Sequence, residues 1–265
     1  MRLPFPGRKP RLFGHRGAAG VAPENTLVSF TRALADGSDI LELDVRATAD
    51  GEVVVIHDAT LERTTDGAGP VSAHTLGEIV RLDAGFRFTP DQGRTFPYRG
   101  QGVSVPRLAD LMRECPGVPL NIEIKQVDPP IVTAVVRLLR AAGARVLLAA
   151  EADGIMREIR LQAPEIPTSC SAGEVAAFVT ALGCGQTPAL PAGAVALQIP
   201  ERFGDLTLVN AESLAAAHAL GAEVHVWTVN DPREARRLVA LGCDGIMSDF
   251  PAEARAAIDE ETRHA

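Results

Sequence analysis

The stretch LNIEIKQVDPPIVTAVVRLLRAAGARVLLAA, Leu120–Ala150, contains one full period of the chain's repeating pattern. Leu120–Lys125 (LNIEIK) alternates apolar and polar residues and reads as a β-strand. Pro130–Ala142 spaces its apolar residues as one face of a helix does, and Arg145–Ala149 is a second apolar strand. Gly143 stands where that helix must stop, and Gly221 and Gly242 repeat the device later in the chain. The same order then continues: helix Asp153–Gln162, strand Thr168–Ser171, helix Gly173–Leu182, strand Ala194–Ile199, helix Ala211–Leu220, strand Glu223–Val229, helix Pro232–Leu241, strand Gly245–Ser248 and a final helix from Pro251. Upstream, Leu12–Gly14 is a strand and Thr26–Ala35 a helix. Ile40–Val45 is a second strand, followed by its neighbour Val53–His57 across the Asp50-Gly51 turn. Eight strands in a βα rhythm predict an α/β fold, the (β/α)8 TIM barrel. A doubly wound open sheet competes less well, because no G-x-G-x-x-G follows a strand and no Walker A segment occurs.

One connection breaks the rhythm. Residues 58–104 hold a single short helical patch, Thr75–Leu82, among many Gly, Pro, Asp and Thr residues. A loop of that length inside a compact domain is usually functional or a small subdomain, and the expectation is an insertion after strand 2, above the C-terminal rim. The chain, residues 1–265, is expected to form one domain, monomeric or homodimeric. With 46% hydrophobic residues and a net charge of −8, it lacks the basic face that nucleic-acid binding needs. An anionic substrate must be drawn in by local positive charge. Cys115, Cys170, Cys184 and Cys243 form no C-x-x-C pair, and their wide spacing suits buried reduced thiols. MRLPFPGRKP lacks the apolar run of a signal peptide, and no stretch has the length of a membrane helix; no membrane anchor and a cytoplasmic location are expected.

In such a barrel the active site lies at the C-terminal ends of the strands. There the sequence places His15-Arg16 after strand 1, Glu42 and Asp44 on strand 2, His57-Asp58 after its continuation, Glu123 and Lys125 on strand 3, Trp227 on strand 7 and Asp249 after strand 8. Residues two apart on a strand share a face, so Glu42 points with Asp44 and Glu123 with Lys125. If their apolar neighbours pack on the outer helices, the charges point into the barrel. Each of these features alone is ordinary: an E-x-D on a strand is most often solvated or salt-bridged, and a lone histidine or tryptophan is most often packed. Converging, three carboxylates repel one another unless a cation neutralises them. An all-oxygen set suits a divalent ion such as Mg²⁺ or Ca²⁺, with Mn²⁺ also possible, better than zinc.

The segments G-H-R-G (Gly14–Gly17), P-E-N-T (Pro23–Thr26), E-L-D-V (Glu42–Val45) and H-D-A-T-L-E-R-T-T-D-G (His57–Gly67) resemble the glycerophosphodiester phosphodiesterase family. So do I-E-I-K (Ile122–Lys125), W-T-V-N (Trp227–Asn230) and D-G-I-M-S-D-F-P (Asp244–Pro251). The resemblance implies a TIM barrel with a small insertion after strand 2. It also implies metal-dependent hydrolysis of glycerophosphodiesters, such as glycerophosphocholine or glycerophosphoethanolamine, to an alcohol and sn-glycerol 3-phosphate. Carried over residue by residue, it makes Glu42, Asp44 and Glu123 metal ligands and His15 and His57 the acid–base pair. Arg16 and Lys125 become phosphate contacts, and Trp227 an apolar wall for the glycerol. Arg63 and Asp66 are expected to fix the insertion, and His225 to be structural. Asn25 either caps the first helix or holds its loop by hydrogen bonds. Two other readings stand beside the phosphodiesterase: a metal-dependent barrel lyase or aldolase, and a non-catalytic barrel that binds phosphate esters.

Overall fold

The first strand of the chain is also the one that closes the sheet. In the computed structural model, which describes residues 3–5, 7 and 9–264, β1 (Arg11–Gly14) pairs in parallel with both β2 (Ile40–Ala47) and the last strand, β11 (Gly245–Ser248). The circle is completed by β4 (Leu120–Ile124), β5 (Val146–Ala149), β6 (Thr168–Ser169), β7 (Ala194–Pro200) and β10 (Glu223–Trp227). Eight parallel strands therefore form a closed (β/α)8 barrel. β3 (Val53–Val55) adds an antiparallel partner to β2 across the turn at Asp50-Gly51. The N-terminal decapeptide, read above for a leader, lies partly outside the described residues.

Helices α1 (Leu27–Ala35), α2 (Leu76–Ile79), α3 (Leu108–Glu114), α4 (Val132–Ala142), α5 (Asp153–Gln162), α6 (Ala172–Gly183), α7 (Ala211–Ala219), α8 (Pro232–Leu241) and α9 (Pro251–His264) complete the fold, with a hairpin of β8 (Arg202–Phe203) and β9 (Leu206–Thr207) beyond β7. Their ends follow local chemistry. Ser171 and Glu174 form a capping box at the start of α6, so Ser171 belongs to the helix start rather than to the strand expected through it. Gly143 and Gly242 end α4 and α8 in the left-handed conformation.

Alternation along β2 sets the layers. Leu41, Leu43 and Val45, all fully buried, face outward into a cluster shared with Phe30 of α1, Leu108 of α3 and Val135 of α4. Burying each such side chain contributes about 1.5–3 kcal/mol. Ile40, Glu42 and Asp44 face inward. Below the acids, Phe13, Ile40, Leu147, Val195 and Met247 pack with Phe5 and plug the floor of the barrel. The insertion gathers Leu61, Val71, Ile79, Ala84 and Val103 around its own small core on Val54 of β3.

The cysteines meet the expectation in part: all four are free thiols, but two are not buried. Cys170 and Cys243 are buried, Cys115 is half-buried, and Cys184 is exposed where α6 ends, at a cap position turned toward solvent. Among the described residues, no helix is long and apolar enough to cross a membrane.

Candidate active site

The register between β2 and β4 builds the centre of the site. Asp44 lies beside Glu123, and Glu42 sits one layer deeper, beside Asn121. One carboxylate oxygen from each of Glu42, Asp44 and Glu123 falls within 4.8 Å of the others. Glu42 and Asp44 are 4% and 1% exposed, so water screens their mutual repulsion poorly. The consequence appears in their acidities. Burial, with Asp44 close by, pushes the Glu42 carboxyl up to about 7, and burial raises Glu123 although Lys125 opposes it.

Positive groups surround these acids without cancelling them. Lys125 Nζ lies 2.7 Å from Glu123 and 3.6 Å from Asp44. The backbone N–H of Arg16 donates to Glu42 at 2.8 Å, and the Arg16 guanidinium reaches Glu24 at 3.0 Å and Asp44 at 3.3 Å. Arg16 Nε is buried with no aligned hydrogen-bond partner. Arg16 holds φ = 50°, a left-handed conformation uncommon for a side-chain-bearing residue. Gly17 beside it has φ = 87°, and a Cβ there would lie 2.3 Å from Ser29 Oγ. This turn aims both the Arg16 amide and its side chain at the acids. Three converging carboxylate oxygens, two of them from buried side chains, fit a hard divalent cation.

Each histidine is held by an aspartate at Nδ1. His15 Nδ1 is 2.6 Å from Asp249 Oδ1, and His57 Nδ1 is 2.6 Å from Asp58 Oδ1. A carboxylate only accepts, so these nitrogens carry the protons and Nε2 is left to act on a ligand. Asp249 is itself fixed by Asn230, whose amide donates at 2.7 Å and whose oxygen accepts the Asp249 backbone N–H at 2.9 Å. Burial works against the charged form of His15, but the Asp249 hydrogen bond and the Glu42 charge outweigh it and raise its pKa. Trp227, 43% exposed, ends β10 on the same rim. His225, two residues deeper, is fully buried against Phe13.

Several contributors were not assigned a part in the site from sequence. Thr26, not Asn25, caps α1. Asn25, at φ = 57°, instead donates to Asp44 Oδ2 at 2.9 Å and accepts the Asp44 N–H at 3.3 Å, which orients that carboxylate. Arg46 Nε fixes the carbonyl of His57 at 2.8 Å. Arg63 ties Glu24 to Asp58. Asp58 and Asp249 are placed on the rim by sequence, but the H-D and S-D dipeptides do not say which ring each acid meets.

Comparison with known proteins fits this geometry. The sequence profile of the glycerophosphoryl diester phosphodiesterase family matches residues 15–253. The chain belongs to that family, and it is a phosphodiesterase of that class. The glycerophosphodiester phosphodiesterase of Caldanaerobacter subterraneus subsp. tengcongensis is 31% identical over 254 residues, covering 92% of this chain and 95% of that protein. The crystal structure of glycerophosphodiester phosphodiesterase from Agrobacterium tumefaciens strain C58 superposes with a TM-score of 0.74 at 28% identity, covering 93% of this chain and 99% of that one. A phosphodiesterase from Oleispira antarctica, solved in complex with the product sn-glycerol-3-phosphate, superposes with a TM-score of 0.75 at 27% identity, covering 95% and 97% of the two chains.

Proposed function

We propose that this chain hydrolyses glycerophosphodiesters to an alcohol and sn-glycerol 3-phosphate, with Glu42, Asp44 and Glu123 holding a divalent cation and His15 and His57 as the acid–base pair. The observation that carries this reading is the convergence of three carboxylate oxygens within 4.8 Å, on a rim where His15 and His57 are each held at Nδ1 by an aspartate. The product bound by the Oleispira antarctica relative supports sn-glycerol 3-phosphate as the product here.

A phosphodiester anion repels nucleophiles. When bound, the cation would act as a Lewis acid on the phosphoryl group. Arg16 and Lys125 add fixed positive charge, which favours the transition state as negative charge builds on the phosphoryl oxygens. One imidazole takes at Nε2 the proton of the attacking hydroxyl, which is either water or the substrate's glycerol 2-hydroxyl, and the other delivers its Nε2 proton to the departing alkoxide as the P–O bond to it breaks; on the second route water then opens the cyclic phosphate to give sn-glycerol 3-phosphate. Asp249 and Asp58 hold each ring through Nδ1, so that proton exchange with the substrate takes place at Nε2. Histidine suits both tasks because its unperturbed pKa, about 6.5, lies close to working pH. Trp227 offers the glycerol carbons an apolar wall. The whole chain serves as a single catalytic domain, with residues 58–104 as its inserted part.

The test is turnover on a panel of glycerophosphodiesters with Mg²⁺, Ca²⁺ and Mn²⁺, before and after exhaustive chelation. Release of glycerol 3-phosphate that stops on chelation and returns with one of the ions is expected. Undiminished activity after chelation removes the cation from the account.

A further inference from the structure

We propose that Arg63 is a positioning residue for His57, acting through Asp58. This rests on the acid–base reading of His57 given above.

Arg63 belongs to the insertion, six residues beyond His57, yet its guanidinium turns back to the rim. Nε bonds Asp58 Oδ2 and Nη2 reaches Asp58 Oδ1 at 3.1 Å, so the fork engages both oxygens of the acid that holds His57 Nδ1. Nη1 and Nη2 also grip both oxygens of Glu24, at 2.7 and 2.8 Å. Glu24 in turn receives Arg16 at 3.0 Å. The result is an unbroken run, His57–Asp58–Arg63–Glu24–Arg16, that joins the loop after β3 to the loop after β1.

Simple anchoring of the insertion explains this poorly. The Arg63 side chain is 46% exposed, and ion pairs so open to water contribute about 0–1 kcal/mol. The insertion has its own apolar core around Leu61 and Ile79. What the fork does supply is orientation. Asp58 is 28% exposed and meets His57 through one oxygen only, so without Arg63 it can turn toward water and release the ring. A lysine keeps the charge but cannot hold four carboxylate oxygens in one plane.

The experiment compares steady-state kinetics of the full-length wild type with R63M, R63K, H57A and the double variant R63M/H57A, with E62Q as a control. Glu62 accepts the Gly69 N–H inside the insertion and does not touch the run. R63M is expected to lower kcat about 10–100-fold, as misplacement of a reacting group does, with KM changed less than about threefold and the melting temperature nearly unmoved. R63K should recover part of that loss, and E62Q should match the wild type. In the H57A background, R63M should add no further loss, because its route of action is gone. An R63M enzyme with wild-type kcat overturns the proposal, as does an equal loss in both backgrounds. If H57A turns over like the wild type, the acid–base reading itself fails and takes this role with it.

Discussion

The floor of the barrel offers a prediction whose size follows from named contacts. Glu223, whose side chain is 12% exposed, receives Lys9 at 2.9 Å and Arg11 at 2.6 Å, and lies 3.1 Å from His225 Nε2. Burial alone would raise its pKa, but the hydrogen bonds from His225, Lys9 and Arg11 outweigh it and hold the carboxyl at about 2, against an ordinary 4.5. A folded-state pKa below the unfolded one stabilises the protein at pH above the unfolded value. That contribution is lost as pH falls through the folded value. The difference of about 2.5 units corresponds to about 3 kcal/mol at neutral pH and about 1 kcal/mol at pH 3. E223Q removes the charge and leaves Arg11, a side chain only 7% exposed, without its anion. Urea unfolding of both proteins at 25 °C from pH 7 to pH 2.5 reads the gap between them. It should begin near 3 kcal/mol and shrink steadily below pH 4.5. A gap that is small at pH 7, or one that does not change with pH, refutes the reasoning.

The remaining expectations concern the site and the thiols. H15A and H57A should each lower kcat by about 10²–10⁴-fold with the circular dichroism spectrum unchanged; near-wild-type turnover in either removes that ring from the acid–base pair. N25A breaks both bonds to Asp44 and should cost about 1–3 kcal/mol of stability together with weaker divalent-ion binding, read by thermal unfolding and calorimetry. Burial pushes the Cys170 and Cys243 thiols up to about 12, so native protein should present Cys184 to a disulfide-exchange reagent first, and those two only on unfolding. Prompt reaction of four thiols in native protein would contradict the burial.

The barrel was legible because its strands carry their function in the alternation. Glu42 and Asp44 stand out against Leu41, Leu43 and Val45, and period two alone puts both acids on one face. That this face points inward, and that Glu123 falls beside Asp44, needed only the β2–β4 pairing that the βα rhythm implies. What escaped was either short or distant. α3 has seven residues and ends just before Pro116, too brief for a periodic signal. The β8–β9 hairpin has two residues per strand. Asp249 meets His15 across 234 residues, a contact that only barrel closure creates. Asn25 was ambiguous because asparagine both caps helices and tolerates the left-handed backbone; tertiary contact with Asp44 decides it. In sequence Arg63 looks like a fastener of its own loop, since nothing local shows that Glu24 lies within reach of it.

The central claim is that Glu42, Asp44 and Glu123 act as one cation site, and calorimetric titration of ion-free protein with Mg²⁺, Ca²⁺ and Mn²⁺ tests it apart from turnover. The account predicts one ion per chain for at least one of the three, with binding abolished in D44N and weakened at least tenfold in E42Q and E123Q. Failure of all three ions to bind, or binding that D44N leaves untouched, contradicts it.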